Sequence, residues 1–250
     1  MKKYKDRNWL NQKYWELDLP IPEIAKLCNC GQRTIYYWLK RLNIPMQLCG
    51  KANHLRQGNH CNLSEKARQW IDGELLGDGC LMPKSKWSAR FDYSSKHKEY
   101  IQYVSDTLKS FGIKQAGKIR KYYRKKYDGD IYKYVSLSYE ELLPIRKRWY
   151  PNRKKIIPRD LKLTPLVLRQ EMIGDGYLHH QEKGRPSIQL ATCGFPIYDV
   201  KWLVNRLNVL GFKSSRMLGN KIYISSYSTK QFLDYIGKCP VECYQYKFDY

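Results

Sequence analysis

The sequence predicts an α+β protein made of two tandem αββαββα units related by a pseudo-twofold axis, preceded by a small all-α module. Three observations carry this expectation. A Gly-Asp-Gly closes an apolar, helix-like run twice, at 70–81 (WIDGELLGDGCL) and at 168–178 (LRQEMIGDGYL). Strand-like and helix-like runs then follow in the same order after each copy. Residues 1–48 show helical periodicity and lack both features.

Residues 7–44 read as three short helices, at 8–16, 22–27 and 32–42. The step Leu19-Pro20-Ile21-Pro22 separates the first two, with Pro22 near the first turn of the second, and Cys28-Asn29-Cys30-Gly31 turns the chain into the third. Ile35, Trp38, Leu39 and Leu42 recur at helical spacing on one face. Arg33, Thr34, Tyr37, Lys40 and Arg41 fall largely outside that stripe. The stretch EIAKLCNCGQRTIYYWLKRLNI resembles the helix-turn-helix of resolvase-like and repressor-like DNA-binding proteins. That resemblance implies that the third helix enters a major groove, with Gln32, Arg33 and Thr34 at its leading end and Tyr37, Lys40 and Arg41 behind them. A small helical module with a solvated basic face is the alternative.

Residues 45–62 lack periodicity and are rich in Gly, Asn, His and basic side chains, so 49–62 reads as a linker between a 1–48 module and two repeats, 63–160 and 161–250. Eight cysteines (28, 30, 49, 61, 80, 193, 239, 243) form no CxxC pair and are expected as free thiols. Cys49, His54, His60 and Cys61 match no usual zinc spacing.

From residue 62 the pattern becomes regular. Ser64 can cap a helix running to Gly77, and Gly73 and Gly77 leave a smooth strip on it where another helix can approach closely. Strands are expected at 80–83 and 89–94, a helix at 96–111, and a hairpin of 114–124 with 131–138 across Tyr127-Asp128-Gly129-Asp130. Ser138-Tyr139-Glu140-Glu141 reads as a capping box opening a helix that Pro151 closes. In the second repeat Thr164-Pro165 opens the motif helix. Strands at 177–179 and 187–191, a helix at 196–210, a hairpin of 213–218 with 221–226 and a helix at 229–236 follow. Asp78 and Asp175 are 97 positions apart (175 − 78), and so are Asp92 and Gln189 (189 − 92).

With 46 Lys+Arg against 23 Asp+Glu the chain carries a formal charge of +23, which points to a polyanionic partner. No apolar run reaches the roughly 18 residues of a membrane span, and no lipidation or secretory signal is evident. Nucleic acid is therefore the expected partner, no membrane is expected, and an intracellular, cytoplasmic and nucleoid-associated location follows. The 22 tyrosines and 7 tryptophans suit contact with sugars, bases and phosphates, although most serve the core.

Each repeated Asp sits where a helix should end. The carbonyl end of a helix carries partial negative charge, so a carboxylate there needs a cation nearby. Two such carboxylates brought together need divalent metal or shifted pKa values.

IDGELLGDG and LRQEMIGDG, with the flanking HKEY, WYPNRKKIIP, LTPLVL and closing YKFDY, make residues 62–250 resemble a single-chain, two-motif LAGLIDADG homing endonuclease. The resemblance implies that the motif helices pack along the pseudo-twofold and deliver Asp78 and Asp175 to the scissile phosphates. There they would share two or three Mg²⁺ ions, helped by the carbonyls of Gly77 and Gly174. Lys155 and Lys247 match the family's basic residue near each active site, with Lys154 as a substitute for Lys155. Each unit's four-stranded sheet would form half of a saddle on DNA, through Arg90, Lys118, Arg120, Tyr122 and Arg124 in the first and Gln189, Lys213, Ser215, Arg216, Met217, Lys221 and Tyr223 in the second. The implied activity is Mg²⁺-dependent, sequence-specific double-strand cleavage by a monomer, as in intron homing. A non-cleaving DNA-binding regulator and an RNA-binding intron maturase use the same fold. The sequence departs from the family at Gln170, opposite Gly73 in register, and at Leu76 and Ile173, in place of the motif's first aspartate.

Overall fold

Helical periodicity near the amino terminus and two alternations of helix with strand resolve into two units in the computed structural model, Met1–Gly58 and Asn59–Tyr250. The structure describes residues 2–46, 58–125, 129–180 and 184–250. The expected turn residues Tyr127 and Asp128, the candidate ligands Cys49 and His54, and most of the expected linker lie outside them.

In the first unit, α1 (Arg7–Asn11) is capped by Asp6, whose carboxylate accepts from Trp9 N at 2.9 Å. It runs into a π-helical turn, Gln12–Glu16, so the single helix expected at 8–16 is two pieces. Helices α2 (Ile21–Leu27) and α3 (Gln32–Arg41) follow, joined through Asn29 at φ 46°. Tyr4, Leu10, Tyr14, Ile24, Ala25, Ile35, Leu39 and Ile44 form the core. Gln32, Arg33, Tyr37, Lys40 and Arg41 are exposed, and Thr34 is half-buried.

The second unit repeats one topology. Helix α4 (Glu65–Leu76) leads into strands β1 (Cys80–Pro83) and β2 (Ala89–Ser95), helix α5 (Lys98–Ser110), strands β3 (Arg120–Arg124) and β4 (Gly129–Val135) and helix α6 (Leu142–Trp149). The second pass gives α7 (Pro165–Asp175), β5 (Gly176–His179), β6 (Ser187–Leu190), α8 (Ile197–Val209), β7 (Ser214–Arg216), β8 (Ile222–Ile224) and α9 (Ser226–Ile236). Each pass makes an antiparallel four-stranded sheet of the same order, β1-β2-β4-β3 and β5-β6-β8-β7. The motif helices are capped as their sequences imply: Ser64 Oγ accepts from Ala67 N at 3.2 Å, and Thr164 Oγ1 from Val167 N at 3.3 Å ahead of Pro165.

Further differences from expectation lie in this unit. Ser138 does not cap a helix, because Tyr139 pairs with Ala89 through both backbone groups (3.0 and 2.8 Å) and its hydroxyl accepts from Lys114 N at 2.7 Å. Helix α6 consequently starts at Leu142, and Glu141 accepts instead from Cys61 N at 3.2 Å. Strand β3 begins only at Arg120, since Gly117 at φ 77° breaks the run, so Lys118 lies before the strand. Lys213 and Lys221 likewise fall just outside β7 and β8.

Helices α4 and α7 pack along the axis relating the repeats. A Cβ on Gly73 would lie 2.8 Å from both Gln170 Cβ and Val167 O, so only glycine permits this approach. Gln170 fills the corresponding place on α7 and donates to Glu74, which also accepts from the Tyr100 hydroxyl. The interface is thus asymmetric at the point where the sequence departs from repetition. Asp72, next on α4, accepts from Arg148 Nη1 at 2.8 Å and Trp149 Nε1 at 2.7 Å, tying α4 to α6.

Gly73→Ala should lower the unfolding free energy by about 1–3 kcal/mol in a denaturant titration. Gly194→Ala, where a Cβ meets nothing within 4 Å, should stay within about 0.5 kcal/mol. Equal effects would contradict the packing account. Burial pushes the Glu74 carboxyl up to about 8, against its hydrogen bonds from Tyr100 and Gln170. A raised folded value means that the stabilisation is complete below the unfolded value of about 4.5 and is lost as pH rises through about 8. In calorimetry without divalent ions, Glu74→Gln should reduce the fall in Tm across that window; an undiminished fall removes this assignment.

Candidate active site

Each motif helix runs straight into the first strand of its sheet, and the Gly-Asp-Gly makes the bend. Gly79 N returns to Glu74 O, and a Cβ on Gly79 would lie 2.6 Å from that oxygen; a Cβ on Gly176 would lie 2.5 Å from Met172 O. The turn therefore folds back onto the last helical turn and leaves the Asp as its outermost side chain. The two turns meet each other. A Cβ on Gly77 would stand 3.4 Å from Gly174 Cα, and one on Gly174 3.1 Å from Asp78 N. Asp78 and Asp175 thus flank a glycine–glycine contact between the helix ends.

Lys155 Nζ donates to Gly77 O at 2.9 Å and Gly79 O at 3.3 Å. Lys247 Nζ donates to Ile173 O at 2.6 Å and Gly174 O at 3.1 Å. Each ammonium caps the negative end of its own repeat's motif helix, which supplies the cation that a carboxylate in that position requires. Lys154 is exposed, and it is Lys155 that the chain turns inward. The carbonyls of Gly77 and Gly174, assigned to metal by resemblance, accept lysine here; each keeps a second lone pair.

Desolvation dominates the electrostatics. Burial first, then Asp78, pushes the Asp175 carboxyl up to about 7, opposed by Lys155 and Lys247. Asp78 is exposed at its tip but crowded by the protein, and burial raises it too, opposed by Lys247 ahead of Lys155. Burial lowers both lysines, and the neighbouring carboxylates partly restore them. Asp78 feels Lys247 most, and Asp175 feels Lys155 most. The lysine of the other repeat thus opposes each aspartate's shift more than its own repeat's lysine does, while Lys155 itself feels Glu171 ahead of Asp175.

Two acids that the sequence reading did not single out lie beneath. Glu74 and Glu171 occupy the same motif position and are buried, at 1% and 0% exposure. Glu74 has its two hydrogen bonds, whereas neither Glu171 oxygen accepts one from the described residues. Burial, then Asp175, raises Glu171 well above the usual carboxylate range. A glutamate repeated inside two apolar runs is the signal that could have found the pair.

Two repelling carboxylates, both raised by burial, fit a divalent cation, which relieves both repulsion and desolvation. Among the described residues no group of three or more His, Cys, Asp or Glu side chains is placed to hold a metal. A cation here would need carbonyl, water or phosphate oxygens to complete its shell.

The sheet register sorts the remaining candidates. Arg90, Asp92 and Ser94 of β2 share a face with Ile131 and Lys133 of β4 and with Arg120, Tyr122 and Arg124 of β3, opposite the face of Leu81, Phe91, Tyr93 and Tyr134 that covers the core. Asp92 holds Arg90 at 2.9 Å and Lys133 at 3.1 Å, so two cations are fixed on the open face. Lys133 joins the candidates through this register alone. An open groove of about 810 Å³ runs from Asp78 past Ser94 and Lys96 to Arg124. In the second sheet Tyr177, Gln189, Tyr223 and Ser215 share the open face. Arg216 pairs with Ile222, whose side chain is in the core, so it projects from the opposite face at the sheet edge and does not join Gln189 and Tyr223. Lys213, Lys221 and Met217 are exposed beside the short strands. No helix among the described residues is long and apolar enough to cross a membrane.

Comparison with known proteins agrees with this architecture. An uncharacterized protein of Methanocaldococcus jannaschii is 31% identical over 201 residues, covering 80% of this chain and 76% of that one. The cytochrome b mRNA maturase bI2 of Debaryomyces hansenii is 26% identical over 203 residues, covering 74% and 72%. The structure of the homing endonuclease I-WcaI bound to its DNA recognition sequence superposes with a TM-score of 0.69 at 20% identity, covering 82% of this chain and 96% of that one, which shows a shared fold. Residues 68–232 match the LAGLIDADG DNA endonuclease family, and with both motifs and both sheets in place the chain belongs to that family.

Proposed function

We propose that the protein is a site-specific double-strand DNA endonuclease of the homing type, acting as a single chain and hydrolysing one phosphodiester in each strand with divalent metal, Mg²⁺ by the hardness of the ligands. The observation that carries this reading is the meeting of Gly77 and Gly174, which sets two aspartates and two helix-capping lysines around one axis. One chain holds both halves, so no second copy is needed to complete the site.

Asp78 and Asp175 would hold the cations, with the second lone pairs of the Gly77 and Gly174 carbonyls in reach. Bound there, divalent cations supply an activated water and neutralise charge on the phosphate. The residues do the rest by position. Lys155 and Lys247, fixed on the helix ends, hold positive charge where negative charge develops on a phosphate, at no cost of reorganisation. Arg90, Lys133, Arg120 and Arg124 on one sheet, and Gln189 and Tyr223 on the other, offer donors and stacking surfaces to base edges and phosphates. In the amino-terminal unit, the exposed face of α3 with Gln32, Arg33 and Lys40 is read as a separate helix-turn-helix contact to DNA. The likeness to a maturase supports a second reading, intron RNA binding, which competition between the folded intron and duplex DNA distinguishes.

A plasmid library with a randomised insert, incubated with protein and Mg²⁺, should yield linear product at one sequence. No linear product with Mg²⁺ or Mn²⁺ would sink the nuclease reading. On the selected duplex, Asp78→Asn and Asp175→Asn should retain affinity within a few-fold and lose double-strand cleavage by on the order of 1,000-fold or more; near-normal cutting by either removes the metal assignment. Arg33→Ala with Lys40→Ala should weaken binding and reduce the slope of log affinity against log salt by up to about 2, as expected for two lost phosphate contacts. An unchanged slope dismisses α3 as a DNA contact.

A further inference from the structure

Lys155 and Lys247 sit on segments without long helices or strands, yet both ammonium groups are anchored within hydrogen-bonding distance of helix ends. A lysine is a flexible four-carbon stem, so its placement depends on what holds the backbone beneath it. For Lys155, Ile156 N donates to Trp149 O at 2.9 Å and ties the segment to the first repeat. The next residue turns to the other repeat. Ile157 N donates to Asp199 Oδ2 at 3.0 Å, and Arg159 Nη2 to Asp199 Oδ1 at 2.9 Å. Asp199 stands in the first turn of α8 and is 1% exposed. The Arg159 guanidinium is also held over the rings of Tyr198 and Trp202, at 5.6 and 5.4 Å.

Lys247 closes the 3-10 turn Glu242–Lys247 at the end of the second repeat. The first amides of such a turn have no partner within it. Those of Glu242 and Cys243 donate to the two oxygens of Glu99, at 2.9 and 3.3 Å. Glu99 stands in the first turn of α5, the counterpart of α8, in the first repeat. Tyr244 docks beside it, with its ring 5.1 Å from Tyr100 and 4.8 Å from His97 and its hydroxyl 3.1 Å from Ser95 Oγ. In both halves a carboxylate from the first turn of the second helix of one repeat grips the lysine-bearing segment of the other.

The geometry points to Asp199 and Glu99 as cross-repeat positioning residues that place Lys155 and Lys247 at the motif helix ends. This rests on the proposed role of the two lysines in cleavage. Neither acid reaches the helix ends itself; each acts through backbone amides. The device makes each half-site depend on the opposite repeat, so it couples the relative placement of the two repeats to the competence of both. The two clamps differ in setting. Asp199 is buried and carries the Arg159 guanidinium as well as an amide, whereas Glu99 is exposed and takes the Glu242 and Cys243 amides together with the Cys243 thiol.

Strand-resolved cleavage separates positioning from general stability. The selected duplex, labelled on either strand, is cut in single turnover with Mg²⁺ by the wild type, Glu99→Ala, Asp199→Ala, Lys247→Met and Lys155→Met. Glu99→Ala should slow the same strand that Lys247→Met slows, by on the order of 10-fold, with DNA affinity unchanged; Asp199→Ala should slow the strand that Lys155→Met slows. Asp199→Asn, which keeps an acceptor for Ile157 N, should recover part of the loss. If the lysine variants are strand-biased but Glu99→Ala and Asp199→Ala cut in the wild-type ratio, the clamps are overturned and the lysine assignment stands. If the lysine variants show no bias, the assignment falls and takes the clamps with it. Hydrogen exchange of the 242–247 amides reads the Glu99 clamp without cleavage and without risk to the core. Faster exchange in Glu99→Ala is expected, and unchanged protection overturns the clamp.

Discussion

The close approach of α4 and α7 is the constraint on which the rest of the second unit depends. Gly73 lets α4 lie directly on Val167 and Gln170, and Gly77 meets Gly174 with no side chain between them. The approach is dense enough that one methyl group would force the helices apart. Its consequence is electrostatic. It brings two helix carbonyl ends together, each followed at once by an aspartate, so partial and full negative charges collect on one axis. The two lysines on those carbonyls are what the protein itself supplies against that charge.

That balance is incomplete, and the incompleteness is useful. Burial raises Asp78, Asp175 and Glu171 and lowers Lys155 and Lys247, so every charge in the cluster is disfavoured by desolvation and favoured by its opposites. A site in that condition gains from each additional positive charge that enters. The asymmetry between Glu74, which has two donors, and Glu171, which has none among the described residues, means that the two halves are chemically unequal although topologically alike. The same inequality appears in the clamps, with Asp199 buried and Glu99 exposed.

Much of the fold is written locally. Ser64 and Thr164-Pro165 open the motif helices through their own side chains and ring, and the paired Gly-Asp-Gly ends them. The identical sheet orders follow from the repeated order of elements. Local signals failed where a long-range partner outbid them. Ser138 has the spacing of a capping box, but Tyr139 is claimed by Ala89 across the sheet, so the box never forms. Arg216 has a basic character suited to DNA, but the register of β7 against Ile222 turns it to the other face. Lys133 gains its place on the open face only by pairing with Arg120 and Ser94.

The sequence by itself determined the two-repeat architecture and the repetition of the Gly-Asp-Gly aspartates, because periodicity and capping depend on near neighbours; the two lysines stood out only through the family resemblance, and net charge set the expectation of a polyanionic partner. Only the tertiary structure decided that each lysine sits on the helix end of its own motif, that among the lysines each aspartate feels most strongly that of the other repeat, that Glu171 is sealed without a donor among the described residues, and that Asp199 and Glu99 hold segments of the opposite repeat. These relations join residues far apart in the chain. Burial and hydrogen bonding, which set their chemistry, exist only once the two repeats have closed on one another.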